Sequence, residues 1–448
     1  VLAGVNMEMA GGSYLEHLPE LVENGAVDEA LVDELVAGIL RIKLRLGLFD
    51  NPYTDPNAFP PPGHDDALRI AERAALQSCV LLQNRDAVLP LATDRLSSIA
   101  VIGPLADEPC EQLGTWVFDG DAALSVTPLQ ALRDALDGRV EVRYLKAMDT
   151  SRSRRSETFD EAARLAADAD VAVLFLGEES ILSGEAHSRA DIRLPGDQED
   201  LLRCVRAAGK PVVAVIMAGR PLTLTDVVND VDALLYAWHP GTMGGPAIAK
   251  LLLGQESPSG KLPATFPRMV GQAPLYYNQK NTGKPPSPET VVHLDDIPPG
   301  AFQTSHGMTA FFLDAGYMPL YPFGYGLSYG EFEYRDLRVD RAEVRIGEAV
   351  RVSVELANVG ARAAAEVVQL YVRDLVGNVT RPVKELKDFR RVRLEPGAAT
   401  RVEFELRTDE LAFYDRRMRL IVEPGEFHVW IGGGSDAPLR SGFRVVAQ

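Results

Sequence analysis

Cysteine is scarce: three thiols, Cys79, Cys110 and Cys204, are spread over 448 residues. An odd, widely spaced set builds neither a disulfide framework nor a zinc site. Cys79 and Cys204 lie in apolar patterns that suit buried free thiols. Positive charge is also short, with 46 Lys and Arg against 64 Asp and Glu and a formal charge of -18. That balance excludes sequence-independent binding to nucleic acid or to an anionic membrane, because both need a basic face. No apolar run reaches the roughly 18 residues of a membrane span, and the opening VLAGVNMEMAGG has no basic stretch of a secretory signal. The histidines, His17, His64, His187, His239, His293, His306 and His428, fall at no metal-ligand spacing. Neither a metal nor another cofactor is expected, and a neutral or polar small substrate suits the chain better than a polyanion.

Two glycine-rich stretches invite a nucleotide reading and fail it. GTMGGPA opens a helical pattern after a strand but lacks the G-x-G-x-x-G spacing. GQESPSGKL has the wrong number of residues between its glycines for a P-loop, and Leu262 follows Lys261 where Ser or Thr is needed. Both read as turns. Asn378-Val379-Thr380 fits a glycosylation sequon, which matters only in a eukaryotic secretory host.

What the chain does contain is a sequence of unlike regions without internal repeats. Residues 1–49 hold a small-residue, Met-rich turn and two helical patterns. The second pattern places Leu31, Leu35, Ile39, Ile42 and Leu46 on one face of a helix expected to be buried. Too short for a domain, this stretch reads as the closing elements of a larger unit. Residues 50–66 carry proline at 52, 56, 60, 61 and 62 and read as a linker. Residues 67–270 alternate short apolar strands with amphipathic helices, the signature of an α/β fold with a largely parallel sheet covered on both faces. Residues 271–333 are long, irregular and rich in Pro, Gly and aromatics. Residues 334–448 alternate at period two, with turns at short spacing, as an antiparallel β-sandwich of immunoglobulin or fibronectin type III kind does.

The most informative stretch is VAVLFLGEESILSGEAHSRADIRLP, residues 171–195. An apolar strand stops at Gly177 and gives way to a polar loop with Glu178, Glu179, Glu185, His187, Arg189 and Asp191. Loops leaving the carboxyl ends of parallel strands are where ligands meet such sheets.

With those residues in hand, the chain resembles the three-domain β-glucosidase-like members of glycoside hydrolase family 3. The resemblance is carried by LAGVNMEM, in which Asn6 stands where Asp is usual, and by SCVLLQNRDAVLPL, SGEAHSRADIRLP, GKPVVAVIMAGRPL, SGKLPATFPR, YPFGYGLSY, RPVKELKDF and LEPGAATRVEFEL. It covers nearly the whole chain. It implies that residues 1–49 end a (β/α)8-type barrel domain, and that the α/β sandwich and a fibronectin type III-like sandwich follow. Members are retaining enzymes, which need two carboxyl groups about 5 to 5.5 Å apart, one nucleophile and one acid/base. The family nucleophile is a barrel Asp, and nothing here matches its segment. The resemblance therefore implies a nucleophile N-terminal to Val1, in a barrel portion of the same protein that serves as a partner of this chain.

The same resemblance makes Glu185 the acid/base. A Glu held in a closed, partly apolar cleft beside another carboxylate has its pKa raised and can protonate a leaving glycosidic oxygen. Read without it, Glu185 is an ordinary loop carboxylate among 64 acidic residues. Glu178 is the runner-up acid, or else a hydrogen-bonding brace at the strand end. Glu179 is expected to face solvent. Arg189 either supports the loop electrostatically or pairs with Asp191. Trp238, in YAWHPGTMGG with His239, either stacks on a sugar or is a buried support of its turn.

The expected function is a retaining exo-β-glycosidase acting on an oligosaccharide or β-glucoside, most simply a β-glucosidase, with β-xylosidase as the alternative within the family. A third reading is a non-catalytic carbohydrate-binding or interaction fragment, and residues 1–448 alone are expected to be inactive. A periplasmic or secreted location follows from resemblance only, and the sequence leaves the oligomeric state open.

Overall fold

The computed structural model describes residues 1–303 and 307–447; His306, among the histidines weighed as metal ligands, lies outside them. The chain divides into two compact units, Val1–His64 and Asp65–Gln448.

The first unit contains α1 (Ser13–Glu23) and α2 (Glu29–Arg45). Asp28 starts α2 as its N-cap, its side chain accepting from Ala30 N. The amide of Asn6 donates to Leu35 O at 2.9 Å, a bond that the carboxylate usual at this position could not make. The expected apolar face of α2 is only partly covered: Leu35 is buried, Leu31 and Ile39 are half-buried, and Ile42 and Leu46 are exposed at 53% and 66%. The correction has a simple cause, since α1 and α2 alone supply too little surface to cover a five-residue stripe. Residues 50–62 are exposed and irregular, with a short turn at Pro56–Ala58, and a second turn closes where His64 N donates to Pro61 O at 3.3 Å.

The second unit opens with α3 (Asp65–Ser78) and β1 (Val80–Asn84), followed by β2 (Ser98–Ile102), α4 (Pro128–Leu136), β3 (Glu141–Leu145), α5 (Phe159–Ala167) and β4 (Val171–Gly177). Next come α6 (Gln198–Arg206), β5 (Val212–Met217), α7 (Thr225–Val228), β6 (Ala233–Tyr236) and α8 (Gly244–Leu252). The strands form one sheet of order β1-β6-β5-β4-β2-β3, parallel throughout except that β1 is antiparallel to β6. In β4 every residue is buried, which is what helices on both faces require. Val171, Val173 and Phe175 face a core with Leu129, Leu132, Ile248 and Leu252 from α4 and α8. Ala172, Leu174 and Leu176 face the opposite core, with Ala162, Leu201, Val205 and Val227 from α5, α6 and α7. Cys79 is buried, and burial pushes its thiol up to about 12; Cys204 is only half-buried, and Cys110 is exposed.

The aromatic stretch after residue 320 returns to this sheet: Phe266 N donates to Tyr321 O at 2.9 Å and Leu327 N to Leu81 O at 2.8 Å. Then comes a sandwich of β7 (Phe332–Val339), β8 (Glu343–Arg345), β9 (Ala349–Asn358), β10 (Ala364–Asp374), β11 (Glu385–Leu394) and β12 (Ala399–Arg407). A small hairpin, β13 (Phe413–Tyr414) with β14 (Leu420–Ile421), precedes β15 (Gly425–Gly432) and β16 (Arg440–Val446). One sheet runs β11-β10-β15-β16-β8 and the other β12-β9-β7. Alternate residues Val350, Val352, Val354 and Leu356 of β9 meet Leu370, Val429 and Ile431 in the shared core.

A charged seam joins sandwich to α/β sheet. Lys261 Nζ lies 2.9 Å from Glu366 Oε1 and donates to Gly326 O at 2.7 Å, while Tyr334 OH donates to the same Glu366 oxygen at 2.9 Å. Both charged side chains are nearly sealed, at 12% and 7% exposed. Among the described residues no helix is long and apolar enough to cross a membrane, and no group of three or more His, Cys, Asp or Glu could hold a metal ion.

Candidate active-site loop

The loop after β4 is built around a buried charge. Directly after Gly177, the Glu178 side chain is 0% exposed, and two guanidinium groups meet it. Arg189 Nη1 bonds Oε1, and Arg220 Nε bonds Oε2 at 3.0 Å. A lone carboxylate removed from water costs several kcal/mol, so such a triad holds only as a complete set. Arg189 does not pair with Asp191, as the sequence allowed; Asp191 is bonded by Arg193, at 3.0 Å from Nη2. Asp191 is two residues from each arginine, and Arg193 occupies it with both Nε and Nη2, leaving Arg189 for the buried acid.

Arg220 does more than neutralise Glu178. Its Nη2 donates to Leu182 O and to His187 O, the latter at 2.9 Å, so one guanidinium grips the loop on both sides of Glu185. Tyr236 OH in turn donates to Arg220 O, and burial together with the Glu178 charge pushes that phenol well up from its ordinary range. From the other direction Thr115 Oγ1 lies 2.5 Å from Ser180 O and 2.9 Å from Ser183 O, and Ser180 N donates to Glu111 Oε2 at 2.6 Å. The base of the loop is therefore fixed at 180, 182, 183, 187 and 189.

Glu185 stands at its tip. His187 N donates to Gly184 O at 3.2 Å, closing a turn with Glu185 and Ala186 at its corner. Ala186 has φ 62° and Gly184 φ 112°. A Cβ on Gly184 would lie 2.3 Å from Thr115 Cγ2, so the glycine allows this close approach. Glu185 itself is exposed and makes no hydrogen bond or ion pair among the described residues. The closed, partly apolar cleft expected around it is thus not formed by these residues. Glu179 also departs from expectation: it is buried, accepting from Ser151 Oγ at 2.8 Å with Arg152 Nε at 3.4 Å, because residue 179 turns back toward the loop after β3 before the tip emerges.

Trp238 follows β6 with φ 57°, a strained setting for so bulky a residue. Its half-buried ring makes edge contacts with Tyr236 at 4.7 Å and Phe266 at 6.0 Å. His239, next in sequence, has a buried Nε2 without a partner among the described residues. Burial lowers its pKa, against the raising effects of Glu178 and Glu111.

Two residues beside the loop escaped the sequence reading. Arg220 lies 42 residues from Glu178, and nothing in GRP shows that the chain brings them together. Trp116 directly follows the clamping Thr115 and is 62% exposed, with Phe118 beside it at a centroid distance of 6.4 Å. Its being one of three Trp in the chain was the available signal.

Residues 79–329 match the family model described as glycosyl hydrolase family 3 C-terminal domain, and residues 366–435 match the fibronectin type III-like domain. The periplasmic beta-glucosidase of Salmonella typhimurium is 37% identical over 99% of this chain. A putative beta-xylosidase of Formosa agariphila is 32% identical, again over 99%. The beta-glucosidase of Listeria innocua in complex with glucose superposes with a TM-score of 0.86 at 37% identity, covering 99% of this chain and 58% of that one. A mutant of the same enzyme with laminaribiose gives 0.86 at 36% identity. The chain spans 59% of the Salmonella relative and 55% of the Formosa relative.

Proposed function

The chain belongs to glycosyl hydrolase family 3, and on that premise we propose that it forms the α/β and fibronectin type III-like parts of a retaining β-glucosidase that removes terminal glucosyl residues from β-glucosides or oligosaccharides. The observation that carries this is the loop after β4: a rigidly anchored base that presents one unencumbered carboxyl group, Glu185, to whatever faces the tip. In the proposed chemistry Glu185 gives its proton to the leaving glycosidic oxygen as a second carboxylate forms the glycosyl-enzyme, then takes a proton from the incoming water. The nucleophile is proposed to come from a barrel portion of the same protein outside these residues, with 1–49 as the barrel's end, 50–66 a linker, 67–270 the α/β sandwich, 271–333 a long connecting segment and 334–448 the fibronectin type III-like domain. The partial coverage of each relative supports a further portion of the protein, as do the exposed apolar side chains of α2.

Glu178 and Arg189 act in this reading as positioning residues for the loop, and Trp238 supports the turn after β6. Trp116 is proposed as the surface on which a sugar ring stacks, because an indole face exposed beside the loop's clamp can cover a pyranose. A β-xylosidase is the second reading, supported by the Formosa relative. The periplasmic relative supports a periplasmic or secreted location. Residues 1–448 without the barrel portion are expected to be inactive.

The test is Glu185→Ala in the intact protein. Hydrolysis of an aryl glucoside with a poor leaving group should fall about 10²- to 10⁴-fold, and azide should restore turnover of an activated one as glucosyl azide. Undiminished turnover of the poor leaving group would remove Glu185 from the mechanism. A parallel panel of aryl xylosides decides between the two sugars.

A further inference from the structure

Trp116 and Glu185 belong to loops that leave neighbouring strands, β2 and β4. Thr115 lies between them. It precedes Trp116 in the chain, and its Oγ1 lies 2.5 Å from Ser180 O, 2.9 Å from Ser183 O and 3.0 Å from Ser183 Oγ. Its one proton goes to a carbonyl, and its lone pairs can accept from the Ser183 hydroxyl. The methyl group of the same side chain faces Gly184, where a Cβ would come within 2.3 Å of it. From Trp116 to Glu185 the path is therefore one residue of chain, one hydrogen-bonded and packed contact, and two residues of chain.

The residues on either side of Thr115 are held very differently. Before it, buried Gln112 donates to Val126 O at 3.1 Å and to Gly241 O at 3.0 Å, Gly241 N donates to Gln112 O at 2.9 Å, and Glu111 Oε2 accepts from Ser180 N at 2.6 Å. Gly114, at φ 89°, passes so near His239 that a Cβ would lie 2.9 Å from its Nδ1. Residues 111–115 are thus wedged between the loop after β6 and the loop that carries Glu185. After Thr115 the anchoring stops. Among the described residues 116–120 make no hydrogen bond, and Trp116 has an edge contact with Phe118, itself exposed. A surface without bonds of its own is ordered by what covers it.

We propose that Thr115 is a positioning residue that couples leaving-group binding to acid catalysis: a sugar ring stacked on Trp116 fixes residues 116–120, and Thr115 passes that constraint through Ser183 and Gly184 to Glu185. The ring that is bound is the one whose glycosidic oxygen Glu185 must protonate. The coupling rests on the hydrolase reading and on Trp116 as the stacking surface, and it names the substrates that gain from it, those whose leaving group is itself a sugar. A methyl glucoside has the same need for a proton, but its leaving group is too small to cover an indole. The leaving sugar then contributes to the transition state as well as to binding, and its effect is read in kcat and not in KM alone.

The test is a double-mutant cycle in the intact protein, with kcat and KM measured for a glucosyl disaccharide, methyl β-glucoside and dinitrophenyl β-glucoside. Trp116→Ala should raise KM for the disaccharide and also lower its kcat, by about five-fold more than it lowers kcat for methyl glucoside. Thr115→Val keeps the shape and removes the hydroxyl. It should lower kcat for the disaccharide about ten-fold, and the loss in kcat/KM for dinitrophenyl glucoside, whose leaving group needs no proton, should be at least about five-fold smaller. Thr115→Ser, which keeps the hydroxyl, should retain most of the disaccharide kcat. In the double variant the two losses in kcat should not add, Trp116→Ala costing less than about two-fold once Thr115 is Val. Additive losses, or a Trp116→Ala variant that raises KM and spares kcat, would overturn the coupling. Equal losses for disaccharide and dinitrophenyl glucoside in Thr115→Val would reduce Thr115 to a purely structural role. Because Trp116 is exposed, its arm of the test stands even if Thr115→Val does not fold. Failure of the hydrolase reading shows separately, as undiminished turnover of the poor leaving group in Glu185→Ala.

Discussion

Glu178 and Glu185 are seven residues apart in one loop and live in opposite surroundings. The first is sealed from water between Arg189 and Arg220; the second is exposed at a turn and makes no hydrogen bond or ion pair among the described residues. A carboxylate already committed to two guanidinium groups has no room to meet a substrate. An uncommitted one at the tip has that room. The contrast teaches that the candidate acid is defined by what its neighbour secures: Glu178 holds the arginines, and Arg220 holds the backbone on either side of Glu185.

Stability measurements can break that contrast. Glu178→Ala should have the largest effect, about 3–5 kcal/mol, because it strands two partly buried guanidinium groups, whereas Glu185→Ala should stay within about 0.5 kcal/mol of the parent, as exposed substitutions do. Urea unfolding of the 448-residue chain compares them directly, and similar losses for both would dissolve the distinction. Arg220→Lys comes next. It keeps the charge but loses the fork that joins Glu178 to Leu182 O and His187 O, and should cost about 1.5–3 kcal/mol. In the intact protein the same variant should lower kcat for a poor leaving group while sparing a good one, if loop position and not charge is what matters.

The smallest effect concerns His239, under the same loop. Its folded-state pKa is lowered, mainly by burial, so below the unfolded value of about 6.5 the unfolded chain binds a proton that the folded one resists. The stability from this group is complete above that pH and declines as pH falls toward the folded value. Unfolding midpoints at pH 7.5 and 5.5 should therefore differ less in His239→Gln than in the parent. Glu199 and Asp374, whose pKa values are raised, act with opposite sign, and comparison with the variant removes them. An unchanged pH dependence would show that His239 is not strained by protonation.

The sheet was legible because period and composition agree: β4 is apolar along its whole length, as both covered faces demand. The sandwich was legible for the complementary reason, the alternation along residues 350–356 of β9 and 402–406 of β12. Long-range pairing was not. Arg189 could equally support the loop or pair with Asp191 on sequence alone; Asp191 found Arg193 and Arg189 found Glu178. Glu179, between a strand and a loop, gave no sign that Ser151 and Arg152 would enclose it. Nor could the pattern in α2 say which part of an apolar stripe is covered, since Leu35 and Ile42 look alike in sequence and differ only in what surrounds them.

The seam between sandwich and sheet has a thermodynamic consequence. Lys261 and Glu366 come from different layers and pair in a site open to little water. If the sandwich unravelled while the sheet kept its fold, this contact and the Leu327 to Leu81 backbone bond beside it would be lost together, so the two layers support each other. From Asp65 onward the chain should therefore melt cooperatively, with the sandwich and the sheet sharing one transition temperature, and a cut that removes the sandwich would lower the melting point of a sheet whose own packing it never touched.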